Sequence, residues 1–418
     1  MQVFKFGGAS VKDAESIKNV ATILKRHEDV EKVVIVSAMG KTTNALEEVV
    51  NLYIKKDKKY LQYLHEVREY HQFVSDDLFG LTSPIQYKIF ALFDIVENFC
   101  SRNNSESYNF IYDQIISVGE LASTTLVAAY LNHAGIKNKW LDARELIRTD
   151  HAFTDAQIQW STTQKLVNSK FKDKSHNTFI TQGFIGSTEE RFTTTLGREG
   201  SDFTAAVLSY CLNAEKLLIW KDVEGVMNAD PKQFKDTILI PKIAFKEAIE
   251  MTYYGAKVIH PKTIRPLQNK NIPLEVRSFI KSDKGGTLIH SFKEEISYPP
   301  IIVRKEDQVL ISFSADDFSF IAEKHMQEIF GVFATVRLRM NMMQNGAINF
   351  VAAVDNKSEK IQEVVKLLEN TFSISITSEL DLLTIRHYND AVLNSELSGK
   401  SIWLTQKTRE TIQVLYKV

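Results

Sequence analysis

Three glycine-bearing stretches follow strand-like runs in this chain: Lys5-Phe6-Gly7-Gly8-Ala9-Ser10, Ser37-Ala38-Met39-Gly40-Lys41-Thr42-Thr43-Asn44 and Thr195-Leu196-Gly197-Arg198-Glu199-Gly200-Ser201-Asp202. Glycine lets backbone N–H groups approach an anion, and a helix starting just beyond adds the favourable end of its dipole. A single loop of this kind is ordinary turn chemistry. Three of them, bringing Lys5, Arg198 and Ser201 to the carboxyl ends of strands, point to a phosphate site on an open α/β sheet. Two familiar nucleotide motifs do not fit. Gly40-Lys41-Thr42-Thr43 resembles the end of GxxxxGK[ST], but the first glycine of that motif would fall on Ile35 inside a strand, and GxGxxG is absent from the chain.

The elements that must position these loops follow from periodicity. Val3–Phe6, Lys32–Ser37, Lys139–Asp142, Thr178–Phe184, Lys216–Trp220 and Leu274–Ser278 read as strands alternating with helices, which predicts an open, mostly parallel sheet sandwiched by helices over residues 1–295. Val11–His27 carries an apolar stripe of Ile17, Val20, Ala21 and Leu24 with Ser10 as N-cap, and Leu121–His133 ends at Gly135. Residues 44–110 are charged, aromatic and helix-periodic, with a turn around Gly80–Pro84; they read as a helical insertion standing off the sheet, its Tyr and His residues serving packing and surface. The pattern changes near Ser297-Tyr298-Pro299-Pro300. Beyond it, strand Val309–Ser314, helix Phe320–Phe330, strands Ala334–Met340 and Ala347–Val354, helix Ser358–Asn370 and strand Ser373–Thr377 give a βαββαβ, ferredoxin-like unit over 301–378. Leu382–His387, Ser401–Thr405 and Thr411–Tyr416 form an abbreviated second copy over 379–418.

Composition bounds the function. The chain has 418 residues, 44% hydrophobic and 25% charged, which suits two or three globular domains. Lys and Arg total 51 against 52 Asp and Glu, and no basic run occurs, so a nucleic-acid partner is not expected. Cys100 and Cys211 lie far apart without metal-ligand spacing, which argues against a zinc site and for a reducing, cytoplasmic setting. No uninterrupted apolar run reaches membrane-spanning length, Lys5 and Lys12 break up any signal-peptide core, and no membrane association is expected.

The segments KFGGAS, VSAMGKTTN, SVGELAS, TTTLGREGSD, WKDVEGVMNADPK and EMTYYGAKVIHPKT appear in the order found in aspartate kinases of the amino acid kinase family, which this sequence resembles across nearly its whole catalytic half. The tandem unit after it resembles the paired ACT domains of those enzymes. The resemblance implies transfer of the ATP γ-phosphoryl group to the side-chain carboxylate of L-aspartate, giving 4-phospho-L-aspartate, the first step of lysine, threonine and methionine biosynthesis. Phosphoryl transfer asks the protein for positioning and charge stabilisation. Lys5 is expected on the β- and γ-phosphates, with Phe6, Gly7 and Gly8 alongside, and Asp202 is expected to orient the cationic groups. A substrate carboxylate is already ionised at neutral pH, so no general base is required.

For the amino acid, Arg198 would clamp the α-carboxylate, Glu120 would accept the ammonium from the start of a helix, and Thr43, Glu199, Gly200 and Ser201 would line the same space. Lys221, Asp222, Met227, Lys232, Lys257 and Val258 are expected along the nucleotide, Asp222 on the ribose or base. Magnesium would be held mainly by the phosphates rather than by protein ligands. The resemblance also implies a homodimer through the ACT units and an amino-acid effector. Several residues depart from the family pattern. Ala9 replaces a common threonine, Glu199 a frequent glycine, Lys221 a threonine, Met227 a tyrosine and Lys232 an arginine. In the regulatory half, Asp316-Asp317-Phe318-Ser319-Phe320 fills a strand-to-helix turn that normally carries a glycine, and Asn341 falls near where lysine-sensitive relatives have aspartate. The competing readings are a kinase for another amino acid such as glutamate, and a weakly catalytic amino-acid sensor.

Overall fold

The computed structural model describes residues 1–172, 175–256, 259–315 and 320–417. The chain divides into two compact units: Met1–Val226 with Leu239–Ile249 and Val258–Ile296, and Met227–Ile238 with Glu250–Lys257 and Ser297–Val418.

The chain enters the first unit with β1 (Gln2–Phe6), α1 (Ala14–Lys25), β2 (Lys32–Val36), α2 (Thr42–Ile54), α3 (Tyr60–Phe79), α4 (Pro84–Arg102), α5 (Tyr108–His133) and β3 (Lys139–Leu141). It continues through α6 (Trp160–Lys170), β4 (Thr178–Gln182), the short hairpin β5 (Ile185–Ser187) and β6 (Thr193–Thr195), α7 (Gly200–Leu212) and β7 (Leu217–Lys221). After these come β8 (Lys242–Ala244), α8 (Phe245–Tyr254), α9 (Pro261–Asn269), β9 (Leu274–Ser278) and β10 (Thr287–His290). Eight strands form one sheet in the order β3-β4-β2-β1-β7-β9-β10-β8. All its pairings are parallel except β9 with β10.

The register matters most for the site. Phe6 lies opposite both Val36 and Trp220, and Val36 lies opposite Gln182. Strands β1, β2, β4 and β7 therefore end level with one another, and the loops that follow start from one edge. Central strands buried on both faces read as unbroken apolar runs, as in residues 33–36 of β2, all of which are buried.

Three expectations about local structure are corrected. Helix α1 is capped by Asp13, whose Oδ1 accepts the Ser16 N–H at 2.8 Å, while Ser10 sits in a 3₁₀ turn over Gly8–Val11. Residues 44–110 do not stand off the sheet. Leu46, Val49, Leu64, Val67, Val74, Ile89, Phe93 and Val96 form one buried cluster with Phe4, Val34 and Val36. Each helix of this region keeps a single apolar stripe, such as Ile85, Ile89, Phe93, Val96 and Cys100 in α4, within a charged surface. Helix α5 does not begin near Leu121: it starts at Tyr108 and runs through Gly119 and Glu120. A β-carbon at Gly119 would lie 2.9 Å from Thr42 Cγ2 and 3.2 Å from Ala38 Cβ, so glycine there marks close approach of α5 to the start of α2 rather than a helix boundary. Although α5 has the length and apolarity of a membrane span, it is mostly buried in this core.

The second unit contains β11 (Ile301–Ala315), α10 (Glu323–Val336), β12 (Met340–Asn345), β13 (Asn349–Asp355), α11 (Ser358–Leu368), β14 (Phe372–Arg386), α12 (Asp390–Leu397), β15 (Ser401–Lys407) and β16 (Thr411–Lys417). The βαββαβ order is present, with strands arranged β12-β13-β11-β14-β16-β15. Helix α10 extends through Val336, so the expected strand Ala334–Met340 is corrected. Ile329, Phe333 and Val336 share a buried helical stripe, which outweighs the β-branched character of Thr335 and Val336.

The partition into 301–378 and 379–418 also changes. β11 and β14 are each 15 residues long and serve both halves of the sheet, with a register shift between Lys305 and Gln308 and a left-handed residue at Glu379 (φ 61°). Residues 301–305 pair with Leu382–Arg386, supplying the second copy with a strand drawn from the start of the first. Ile302 packs there with Leu383, Ile385, Ile412, Val414 and α12. Asn341 donates to Gln308 Oε1 and Asp355 Oδ1, each at 2.7 Å, and accepts from Lys305 Nζ at 2.7 Å. The Asp316–Ser319 part of the strand-to-helix turn lies outside the described residues.

Candidate active site

A cavity of about 670 Å³ opens at the level strand ends of the first unit. Its walls come from the loops after β1 and β2 (Lys5, Gly8, Ser37, Ala38, Gly40, Thr43), the Gly197–Asp202 stretch leading into α7, and Lys221 at the end of β7. Helix α5 supplies Tyr108, Asn109, Tyr112 and Glu120, and Thr154 and Phe184 complete the lining.

On one wall, Lys5 Nζ lies 2.7 Å from Asp202 Oδ1 and Lys221 Nζ lies 3.5 Å from Asp202 Oδ2, with Lys5 and Asp202 both buried. The two lysines come from neighbouring parallel strands, and the carboxylate comes from the first turn of α7. Burial alone would raise the Asp202 pKa, but the two ammonium groups outweigh it and hold the carboxyl below the usual aspartate range. Asp202 therefore stays ionised between its lysines, with one carboxylate fixing two cations at the mouth of a helix N-terminus.

The loops interlock through Gly8. The Gly40 N–H donates to Gly8 O at 3.0 Å, and a β-carbon on Gly8 would lie 2.7 Å from Ala38 O and 2.9 Å from Gly40 O. Gly8→Ala is expected to force these two loops apart and to lower stability by about 1–3 kcal/mol, with a fall in turnover. Thermal unfolding and steady-state rates on the same preparation check both.

Elsewhere in the lining, Glu120 is fully enclosed. Burial pushes its carboxyl up to about 8, against the lowering effect of hydrogen bonds from its own and the Ala38 backbone N–H. Its Oε2 has no hydrogen-bond partner among the described residues. A buried carboxyl oxygen left without a partner, on a residue that lines a cavity, is a place for a cationic donor. Arg198 is exposed at the cavity edge and has no ion-pair partner among the described residues.

Asp113, one residue beyond Tyr112, holds the Arg198 loop from behind. Its Oδ2 accepts the N–H groups of Thr154 (3.0 Å) and Thr195 (2.8 Å), and its Oδ1 accepts the Thr195 hydroxyl at 2.6 Å. Burial raises its pKa to about 6 despite those three donors. Asp113→Ala leaves the buried Thr195 amide and the half-buried Thr154 amide without their acceptor and is expected to cost roughly 3 kcal/mol in chemical denaturation, since an orphaned buried donor costs about 1–3 kcal/mol.

Of the residues expected from the sequence, Lys5, Gly8, Thr43, Glu120, Arg198, Glu199, Gly200, Ser201, Asp202 and Lys221 share this cavity. The Phe6 side chain is wholly buried and stacks on Trp220 with ring centroids 6.0 Å apart, so it packs in the core rather than on the cavity. Gly7 lies beside the cavity, its carbonyl accepting the Ser10 N–H, and Asp222 is exposed next to Lys221. Met227 and Lys232 belong to the second unit, while Lys257 and Val258 lie outside the described residues. The Glu199 carboxylate accepts the His260 N–H at 3.1 Å. Sequence reasoning missed Tyr108, Asn109, Tyr112 and Asp113. The signal was present: Tyr108, Tyr112 and Glu120 are spaced by multiples of four and so lie along one side of a single helix once α5 is read as continuous.

A mostly parallel sheet that levels three glycine-bearing loops around one cavity is the architecture of the Amino acid kinase family, and the chain belongs to that family, whose sequence model matches residues 1–278. Among relatives, the bifunctional aspartokinase/homoserine dehydrogenase 1 of Arabidopsis thaliana is 32% identical over 296 residues, covering 69% of this chain and 32% of that protein. The chain thus spans about a third of the length of such bifunctional relatives. Aspartokinase 2 of Arabidopsis thaliana is 28% identical over 404 residues, 92% of this chain and 73% of that one. Among solved structures, Escherichia coli aspartokinase III in complex with aspartate and ADP superposes with a TM-score of 0.83 at 26% identity, covering 100% of this chain and 96% of that one.

Proposed function

We propose that this protein is an aspartate kinase. The observation that carries the reading is the pairing of two walls in one cavity: the Lys5–Asp202–Lys221 cluster at a helix N-terminus, and the enclosed Glu120 with an oxygen unpartnered among the described residues. The first wall suits a transferring phosphoryl group. The second suits an ammonium, and Arg198, which lines the same cavity and has no ion-pair partner among the described residues, suits an α-carboxylate. The likeness to Escherichia coli aspartokinase III, solved with aspartate and ADP, supports the same assignment.

In this reading a side-chain carboxylate oxygen of L-aspartate attacks the γ-phosphorus of ATP, the bond to the β-phosphate oxygen breaks, and ADP leaves beside 4-phospho-L-aspartate. Lys5 and Lys221 neutralise the oxygens of the transferring group, and Gly7 and Gly8 let it come near the backbone. Asp202 fixes both lysines, while Thr43, Gly200 and Ser201 offer hydroxyl or amide donors to the amino acid or phosphate. Asp222 is assigned to the adenosine, and Met227, Lys232, Lys257 and Val258 complete the nucleotide set from their motifs. Magnesium would be held mainly through the nucleotide phosphates and would supply charge neutralisation there; Asp202, the carboxylate at the cationic wall, is already engaged by two ammonium groups.

ADP release measured with aspartate and with glutamate tests the reading. Turnover with aspartate and little with glutamate is expected; a preference for glutamate, or no turnover with either, would overturn it. A homodimer through the ACT-like units, an amino-acid effector and a cytoplasmic setting belong to the same proposal. They are supported by the edge strands β12 and β15, by the solved complex of aspartokinase III with lysine and aspartate, and by two free buried cysteines. Unchanged rates on titration with lysine, threonine and methionine would remove the effector.

A further inference from the structure

Glu199 occupies a backbone position that suits glycine, at φ 53° in the left-handed region. Its Oε2 accepts the backbone N–H of His260 at 3.1 Å, and His260 is the N-cap of the nine-residue helix α9. The carboxylate thus sits at the positive end of that helix, where an anion is favoured. The His260 ring points its Nδ1 at the Lys262 N–H (3.1 Å), closing the cap.

The same turn reaches back to the other end of the loop. Lys262 Nζ donates to Leu196 O at 3.0 Å and to Asp155 Oδ1 at 2.7 Å, and its ammonium stands 5.0 Å from the centre of the Phe203 ring. Leu196 opens the loop and Glu199 closes it. Arg198 lies between these two anchors.

We propose that Glu199 and Lys262 form a two-point clamp that positions Arg198 for the amino-acid carboxylate, so that the charge of Glu199 is engaged by α9 instead of repelling a dianionic substrate. This inference rests on the aspartate kinase reading for the identity of the substrate, though not for the clamp itself. Both residues act through Arg198, as positioning residues.

The test compares Glu199→Gly with Glu199→Gln. Glycine relieves the backbone and removes the tether, whereas glutamine keeps an acceptor oxygen and loses only the charge. Two readouts are taken: steady-state constants for aspartate and ATP, and hydrogen exchange of the His260 amide by mass spectrometry. With Glu199→Gly the aspartate KM is expected to rise about tenfold, the ATP KM to stay within about twofold, and His260 exchange to speed up at least about tenfold. Glu199→Gln should resemble the wild type in both. Unaltered His260 exchange in Glu199→Gly would overturn the clamp, as would a lower aspartate KM in both variants, which would make Glu199 a repulsive charge. Wild-type protein without aspartate-dependent ADP release would retire the activity reading, while the exchange comparison would still decide the clamp.

Discussion

Lys5→Ala is expected to lower kcat by a factor of about 10³ or more, with a smaller effect on the aspartate KM, because the lost charge acts mainly on the transferring phosphoryl group. The same substitution should also weaken the fold. Asp202 is fully enclosed and, among the described residues, would keep only Lys221 as a cationic partner, its ammonium 3.5 Å away. Removing one partner of a buried ion pair costs roughly 3–5 kcal/mol, since the other charge is left without full compensation. Acid should reveal this coupling. Burial would raise the Asp202 pKa, but Lys5 and Lys221 hold it below its unfolded value, so the pair stabilises the native state above the ordinary aspartate range. That contribution disappears as pH falls through the depressed folded value. In Lys5→Ala the acid-dependent part should shrink. A double variant, Lys5→Met with Asp202→Asn, separates the two roles: denaturation midpoints should recover while kcat stays low. Full activity in Lys5→Ala would remove Lys5 from the chemistry.

Lys5 itself was legible because strand period, level strand ends and glycine loops all converge on one edge of a parallel sheet. The cationic wall follows from local rules: a side chain at the end of β1, another at the end of β7, and a carboxylate in the first turn of the helix after Gly200. The Glu120 wall was harder to read. Gly119 looked like a helix boundary because glycine disfavours helix interiors. Here α5 passes so close to Thr42 and Ala38 that no β-carbon fits, a tertiary demand that outweighs propensity. Reading Glu120 as a first-turn residue then hid Tyr108 and Tyr112, about two to three turns earlier on the same helix. The insertion at 44–110 misled for a related reason: a helix with one apolar stripe looks charged in sequence whether its stripe meets a core or not. In the second unit, the borrowing of residues 301–305 by the later half of the sheet depends on pairing partners more than 75 residues apart, and no local pattern records that. Glu199 is different again. Its departure from glycine was visible, but its partner, the His260 amide, is 61 positions away.

Glu120→Gln is expected to raise the aspartate KM on the order of 10²-fold while leaving the ATP KM nearly unchanged, because a buried charge-assisted contact to an ammonium is worth roughly 2–5 kcal/mol. Its pH dependence is more diagnostic than its size. Burial raises the Glu120 pKa to about 8, so in the free enzyme the group carries a proton through most of the neutral range. Binding an ammonium requires the carboxylate, so the substrate must displace that proton. The wild-type aspartate KM should therefore rise as pH falls below about 8, approaching tenfold per unit, and Glu120→Gln should flatten the slope. Stability moves the other way. A carboxyl whose folded pKa lies above its unfolded value of 4.5 binds more protons when native than when unfolded, so between that value and about 8 it makes the free protein progressively less stable as pH rises. Glutamine carries no such penalty, so the variant should unfold at a higher temperature than wild type at pH 8 and lose that advantage toward pH 5. A site that binds its substrate poorly yet folds more firmly at alkaline pH is what a carboxylate kept unpaired for an incoming cation predicts. Equal pH slopes for KM in the two proteins would show that Glu120 is not the ammonium acceptor.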